Sequence, residues 1–218
     1  MTTLTTTQND WLDVLNWTDR VDDKQGIVVS ICDQQLLLIE RKQIVRSYSC
    51  STGKSGIGNQ NGSGRTPDGW HQVGAKIGDS LPVGAILKGR QWTDQVWHGM
   101  ETDEDLILTR ILRLSGLEPG RNQGGEVDTW DRLIYIHGTN APSKLGQPVS
   151  HGGEEGVSPR HLTDLSGVVG RPRLMPHSIA PNASPIHPSP SGPPVMRSII
   201  FSKHLPPRGN RGGTPRLG

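Results

Sequence analysis

The sequence predicts a mainly-β domain, a β-sandwich or barrel that carries a few short helices. Two observations support this fold class. Short apolar runs recur through the first three quarters of the chain, and segments rich in glycine separate them. Many short strands joined by turns are typical of all-β sandwiches and barrels.

The first predicted strands follow a polar leader. Residues 27–31 and 36–39 are compact apolar runs with a polar turn between them, which predicts a β-hairpin. Residues 43–50 alternate well enough to predict a third strand, and residues 51–69 have the composition of a loop. In the leader itself, residues 9–17 have the apolar spacing of a short helix.

Later elements are shorter and more scattered. Short elements are predicted at residues 70–73, 81–87 and 105–112, the last of them helical at its end. Residues 131–136 form the clearest late strand, which runs directly into His137. Residues 158–165 predict one short helix with Ser158 as its N-cap.

Composition divides the chain into three parts. Residues 1–25 are the polar leader, residues 26–165 hold the predicted β domain, and residues 166–218 form a tail rich in proline and arginine. The tail contains 11 of the 17 prolines and no acidic residue, so it carries a charge of +7 in a chain whose net charge is +2. Such a segment buries too little apolar surface to offset the entropy lost on ordering, and we predict that it is unstructured.

Several classes of protein are disfavoured by the sequence. Cys32 and Cys50 are too few for a disulfide framework, and two half-buried strand thiols are the simpler interpretation. The N-terminal residues show no basic stretch followed by an apolar run, so we expect no secretory signal. No window approaches the roughly 20 apolar residues of a membrane-spanning helix, so we expect no membrane span.

The residues that carry chemistry lie between His137 and Gly153. A cysteine acyl-transferase needs a thiolate, a base that generates it, and N–H donors for the tetrahedral oxyanion. A histidine at the end of a strand, followed by a Ser-His-Gly-Cys turn, supplies all of these in one neighbourhood. Here His137 ends the predicted strand and Ser150-His151-Gly152 begins 13 residues later, but the nucleophile position is Gly153.

The segment HGTNAPSKLGQPVSHG, residues 137–152, resembles the signature of the L,D-transpeptidase (YkuD-type) family of peptidoglycan enzymes, HGT…LG…SHGC[IV]R. An early strand pair and a loop that begins with Ser51-Thr52-Gly53 also agree with that family, and the resemblance spans residues 26–165. It implies a reaction in which a meso-diaminopimelyl–D-alanine bond of a tetrapeptide stem is attacked, D-alanine is released, and the acyl group passes to another amine.

The resemblance also implies roles for individual residues. His137 is the base that activates the thiol, His151 and Gly152 shape the turn, and the backbone N–H groups around Gly152 and Gly153 form the oxyanion site. Gly138, Thr139 and Ser150 bind the substrate, and Ser150 also orients the loop. The implied partners are peptidoglycan stem peptides, and we expect no cofactor, metal or nucleic acid. The family acts in the periplasm or cell wall, which conflicts with the missing export signal.

The family pattern breaks at the nucleophile. Glycine at position 153 offers no atom to acylate, and Glu154 and Glu155 follow where the family has an aliphatic residue and an arginine. The first arginine is Arg160, and two acids repel a substrate anion. We therefore predict that this chain does not catalyse transpeptidation and that the fold is truncated at its C-terminal strands.

Two explanations for the break stay open. A reading-frame disruption near codon 153 accounts for the abrupt loss of family character and for the acid-free tail. An in-frame divergence instead leaves a pseudoenzyme, a non-catalytic protein that binds peptidoglycan. Translation of the other two frames across codons 152–218 separates the two, because the frame hypothesis fails if neither frame gives Cys, an aliphatic residue and Arg.

Other interpretations of these residues are weaker. Cys50 is simpler as a strand residue than as a substitute nucleophile, and a serine beside His151 in sequence has the wrong geometry for a relay. The spacing of His137, His151 and His161 matches no common zinc site. The Gly53-Lys54-Ser55 sequence lacks the first glycine and the helix of a phosphate loop. The basic tail has enough charge to bind an anionic polymer, without any sign of specificity.

Overall fold

A computed structural model describes residues 25–41, 43–102, 104–150, 155–168 and 198–202. This part of the chain contains ten strands, one α-helix and two short 3-10 helices, Gly125–Val127 and Pro142–Lys144. In chain order, the strands and the helix are β1 (Gln25–Ser30), β2 (Gln35–Glu40), β3 (Gln43–Ser51), β4 (Trp70–Ile77), β5 (Ala85–Lys88), β6 (Gln91–Val96), β7 (Ile107–Gly116), β8 (Tyr135–Thr139), β9 (Glu155–Val157), α1 (Pro159–Val168) and β10 (Ser198–Ser202).

The strands form one mixed sheet that closes on itself. Eight strands follow one another in the order β4, β10, β1, β2, β3, β9, β8 and β7, and β7 pairs with β4 to complete the ring. The pairs β4–β10 and β8–β9 are parallel, and the other pairs are antiparallel. Strands β5 and β6 form a hairpin that branches from β7. The predicted mainly-β fold is confirmed, and its form is a barrel-like ring.

The N-terminal hairpin is confirmed where it was predicted. Strands β1 and β2 pair antiparallel from Gln25↔Glu40 to Ser30↔Gln35, and β3 continues the sheet from β2. The interior side chains of β1 and β2 are almost fully buried on both faces. A strand covered on both faces appears as a continuous apolar run rather than as an alternation, which is the pattern that the sequence has here.

Two later predictions need correction. Residues 105–112 were expected to become helical, but they enter strand β7, whose residues 108–112 are all buried. Burial of both faces hides the period of two that normally identifies a strand. Strand β8 begins only at Tyr135, because the preceding residues turn, with Leu133 at φ +59°. Strand β6, with the polar sequence QWTDQV, was not predicted.

Helix α1 covers one face of the sheet. It begins at Pro159, so Ser158 takes the predicted N-cap position, and the Ser158 carbonyl accepts the hydrogen bond of the Leu162 amide at 3.0 Å. Leu162 and Leu165 are fully buried and belong to the same core cluster as Ile136 of β8. This packing fixes the back of the strand that carries His137, and the predicted helix is confirmed.

The region after residue 153 contributes two strands to the ring. Strand β9 lies between β3 and β8, and β10 lies between β1 and β4. The sequence predicts a fold without its last strands and an unstructured tail from residue 166. In the structure, α1 extends to Val168 and β10 covers Ser198–Ser202 within that segment. The other residues of the tail, and the leader with its predicted helix, lie outside the described residues, so these domain boundaries stay predictions.

The two cysteines differ in burial. Cys50 is buried in the core cluster and Cys32 is exposed in the β1–β2 turn, so the two thiols have different surroundings and do not form a disulfide.

His71 is fully buried on β4 between the Gly69 carbonyl and the Thr129 hydroxyl, each at 3.0 Å from a ring nitrogen. Burial lowers the pKa of His71 to about 3, so this ring is neutral at ordinary pH.

Candidate functional site

A cleft of about 70 Å³ lies where β8 ends. Strands β3, β8 and β9 contribute Ser51, His137, Thr139 and Gly156 to its lining, and the segment between β6 and β7 contributes an acidic wall. Ser150 also lines the cleft. Three of the residues predicted from the sequence as site residues, on two different segments, therefore share one cavity.

His137 occupies the centre of the sheet beside this cleft. It pairs with Ile111 of β7 on one side and with Gly156 of β9 on the other, and it is 2% exposed. Its Nδ1 lies 3.0 Å from the Gly138 carbonyl oxygen. Because a carbonyl oxygen only accepts, Nδ1 must carry the hydrogen, and the neutral ring keeps its lone pair on Nε2. The imidazole is thus held in the tautomer in which Nε2 acts as a base.

The segment that leads to Ser150 is fastened to the end of β3. The Gly146 amide donates to the Cys50 carbonyl at 2.8 Å, and the Ser51 hydroxyl donates to the Gln147 carbonyl at 2.8 Å. Ser150 exchanges two backbone bonds with the loop after β3: its amide donates to the Thr52 carbonyl at 3.0 Å, and its carbonyl accepts from the Lys54 amide at 3.1 Å. The backbone of Ser150 is therefore fixed against the loop that follows β3.

That loop is held in turn by buried side chains. The Gln34 side chain accepts from the Thr52 amide at 2.9 Å and donates to the Thr52 hydroxyl at 2.8 Å. The Thr66 hydroxyl accepts from the Gly53 amide at 2.8 Å. Gln34, Thr52 and Thr66 are all buried. The segment beginning with Ser51-Thr52-Gly53, which the sequence presents only as a loop, is therefore a rigid support of the site.

The opposite wall of the cleft is formed by Thr102, Glu104 and Asp105, within the described residues 101–102 and 104–106. The Asn140 side chain, 1% exposed, holds this wall by donating to the Thr102 hydroxyl at 3.0 Å and to the Glu104 carbonyl at 2.8 Å, and by accepting from the Leu106 amide at 3.0 Å. At the outer end, Glu101 accepts from the Ser143 hydroxyl at 2.8 Å and from the Ser143 amide at 3.1 Å. These bonds from Ser143 lower the pKa of the Glu101 carboxyl.

The charges of the cleft are mixed. Glu104 and Asp105 bring carboxylates to the lining, and Lys144 brings one ammonium group. Among the described residues that line the cleft, none is a cysteine. Cys50 packs in the core instead, as expected for a strand residue. The described side chains therefore supply a base and polar contacts.

The sequence-predicted site residues divide into two groups. His137, Gly138, Thr139 and Ser150 are described, and all four lie at or beside the cleft. His151, Gly152 and Gly153 lie outside the described residues, so their roles stay predictions. His161, weighed only as a metal ligand, lies on α1 with its ring 4.9 Å from the Tyr48 ring.

Sequence reasoning missed the residues that support the site. Asn140 follows His-Gly-Thr directly, and a polar amide at the end of a predicted strand that carries site residues was the one signal that could have identified it. The sequence signal for Gln34 is weaker, because a glutamine in a hairpin turn normally faces solvent. The acidic wall, Glu104 and Asp105, lies in a polar stretch without a distinguishing pattern.

The described part of the chain contains no helix with the length and apolar character needed to cross a membrane. Comparison with known protein families gives one match: the L,D-transpeptidase catalytic domain family (YkuD) over residues 24–153. The match ends at the residue where the family pattern breaks. No curated protein matches the chain significantly.

Solved structures give similarities of low extent. An L,D-transpeptidase from Mycobacterium smegmatis is 15% identical with a TM-score of 0.36, over 63% of this chain and 50% of that one. The L,D-transpeptidase LdtMt1 in complex with imipenem is 17% identical with a TM-score of 0.35, over 63% and 50%. An L,D-transpeptidase from Xylanimonas cellulosilytica is 14% identical with a TM-score of 0.37, over 84% and 63%. The chain thus spans about half the length of the first two structures.

Proposed function

We propose, because the chain belongs to the family of L,D-transpeptidase catalytic domains (YkuD), that it is a peptidoglycan transpeptidase domain in which the chemical step is absent. The observation that carries the proposal is a contrast. His137 is buried beside the cleft in a tautomer suited to a base, while residue 153, where the family pattern has its cysteine, is glycine.

The family reaction explains why this one residue matters. The histidine Nε2 takes the proton of the cysteine thiol, and the thiolate attacks the carbonyl carbon of the meso-diaminopimelyl–D-alanine bond. The C–N bond breaks, D-alanine leaves with the proton on its amine, and a thioester remains. An acceptor amine then attacks the thioester, forms a new amide and releases the thiol. In this chain no sulfur is present at position 153, so no thioester forms there.

The remaining site residues keep the roles implied by the family. His137 is the base, and Gly138, Thr139 and Ser150 bind the peptide stem. The N–H groups around Gly152 and Gly153 receive the oxyanion, with His151 shaping the turn. The charge of the cleft argues in the same direction as the missing thiol, because Glu104 and Asp105 add carboxylates to its lining. In the sequence, Glu154 and Glu155 take the place of the family's aliphatic residue and arginine.

Intact-protein mass spectrometry after incubation with a carbapenem tests the proposal. A carbapenem acylates the cysteine nucleophile of this family, so we expect the mass of the wild-type chain to stay unchanged. A mass increase equal to one carbapenem on the wild-type chain contradicts the proposal. The Gly153→Cys variant is measured in parallel, and we expect little acylation of it, because the arginine that follows the family cysteine is also missing.

A second candidate function is a non-catalytic domain that binds peptidoglycan stem peptides. The observation that favours it is the intact support of the cleft, from Gln34 in the β1–β2 turn to Asn140 at the opposite wall. Calorimetric titration with a stem tetrapeptide decides this point. Saturable binding supports a binding domain, whereas no heat of binding leaves a broken copy of an enzyme, as a reading-frame disruption would produce.

A further inference from the structure

Strand β7 carries an irregularity directly opposite the His-Gly peptide of β8. Leu108 pairs with Gly138 and Ile111 pairs with His137, so Thr109 and Arg110 are two extra residues between consecutive positions of β8. This is a β-bulge, a feature that bends a strand and redirects side chains, and bulges are common beside active sites.

The bulge has an unfavourable backbone that other groups stabilise. Thr109 has φ +71°, which a β-branched residue rarely adopts. Its hydroxyl accepts from the Gly84 amide at 2.9 Å. The buried Arg110 guanidinium donates to the Thr109 carbonyl and to the Leu81 carbonyl, both at 2.8 Å. Three hydrogen bonds therefore stabilise a backbone conformation that is unfavourable for threonine.

The same two residues mark a change of partner along β7. Before the bulge, Ile107 and Leu108 pair with β5, and from Ile111 onward β7 pairs with β4. The register shift relative to β8 on one edge of β7 and the change of partner from β5 to β4 on the other edge therefore occur at the same place. The bulge thus controls how closely the backbone of β7 approaches β8.

That approach is closest at Gly138. A Cβ atom on Gly138 would lie 2.7 Å from the Leu108 carbonyl oxygen and 3.2 Å from the Pro159 Cα. These contacts are too short for a side chain, so the position requires glycine, which has no Cβ. The carbonyl of this confined residue is the acceptor of the His137 Nδ1–H bond. The position of β7 therefore determines where that carbonyl lies.

We propose that the Thr109–Arg110 bulge of β7 is a positioning element for His137. It presses the β7 backbone against Gly138, fixes the Gly138 carbonyl, and through it holds the imidazole in the tautomer with the hydrogen on Nδ1 and the lone pair on Nε2. Thr109 and Arg110 are positioning residues that do not touch the substrate. The inference rests on the proposed role of His137 as the base of the cleft.

Nitrogen NMR of the histidine rings tests the proposal without ligand or turnover. The His137 signal is identified by its loss in His137→Gln, and we expect wild-type His137 to be Nδ1-protonated. Because a free imidazole prefers the Nε2–H form, Thr109→Val and Arg110→Met should shift His137 toward that form or to a mixture of both. Thr109→Ser, which keeps the hydroxyl, should restore the wild-type signal.

Leu114→Ala is the matched control, since Leu114 is a fully buried core residue of the same strand outside the bulge. It should lower stability and leave the His137 tautomer unchanged. Wild-type His137 signals in both Thr109→Val and Arg110→Met overturn the inference, as does an equal change in Leu114→Ala. If one of the two bulge variants does not fold, the other carries the test alone, and a wild-type His137 signal in it then overturns the inference. Failure of the proposed function would appear separately, as a carbapenem adduct with the tautomer result intact.

Discussion

The two walls of the cleft are built by different means. The sheet wall, formed by β3, β9 and β8, is fixed by backbone ladders and by a core of buried side chains behind His137. The loop wall, residues 101–102 and 104–106, is largely exposed and is attached through Asn140 and through the Glu101–Ser143 contact. A base requires a fixed geometry, whereas groups that meet a flexible peptide tolerate adjustment. The sheet wall, which carries His137, and the loop wall are therefore held in place by separate sets of contacts.

The largest effect is expected from the core behind the sheet wall. Ile136→Ala removes a fully buried side chain that belongs to one core cluster with Leu162 and Leu165 of α1. Cavity formation should lower the free energy of unfolding by about 2–5 kcal/mol. Urea denaturation measures the loss, and Val45→Ala, at a position that is 44% exposed, is the control with an expected change below about 0.5 kcal/mol. An equal loss in the two variants would contradict the conclusion that the buried core supports the sheet wall.

An intermediate and local effect is expected at the loop wall. Asn140→Ala removes the acceptor of the Leu106 amide and the donor to the Glu104 carbonyl. Loss of these bonds should cost about 1–3 kcal/mol, and amide exchange of Leu106 should become faster while exchange in β8 is little changed. Asn61→Ala, at an exposed position, is the control. Uniformly faster exchange across β8 would show that the two walls are not separately supported.

The smallest effect is a change in titration at the outer end of the loop wall. Bonds from Ser143 lower the Glu101 pKa, so their stabilisation is present above the ordinary value of 4.5 and is lost as pH falls through the lowered pKa. Ser143→Ala removes the hydroxyl bond and should raise the Glu101 pKa toward that ordinary value. A carboxyl NMR titration measures it, with Ser63→Ala as the control. An unchanged Glu101 pKa in Ser143→Ala would refute the assignment.

Local patterns made the first hairpin, β3 and α1 predictable. Continuous apolar runs on either side of a polar turn specify β1 and β2, and the Ser-Pro start specifies α1. His137 and Ser150 could be predicted as well, because the motif places them at fixed spacing before the nucleophile position. These features share one property: the information lies within about twenty residues of the feature itself.

The remaining features depend on distant contacts. The Thr109–Arg110 bulge follows from the pairing of β7 with three strands, which no window of sequence reveals. Asn140 and Gln34 are ordinary polar residues until the fold buries them against backbone groups. Strand β6 is polar because it lies at the free end of the sheet, so it lacks the apolar run that identifies a strand.

Strand β10 has a consequence for the order in which the molecule is made. Gly26 pairs with Ser202, so during synthesis β1 emerges 176 residues before its partner. At about 5–20 residues per second, the outer edge of β1 waits roughly 9–35 s on the ribosome before β10 is available. The edge of β4 waits a shorter time, because Trp70 lies 130 residues before its partner Ile200. Unpaired edges of this kind recruit other strands, and pairing over such separations is slow. The nascent chain should therefore depend on chaperones for longer than a domain of this size with local pairings.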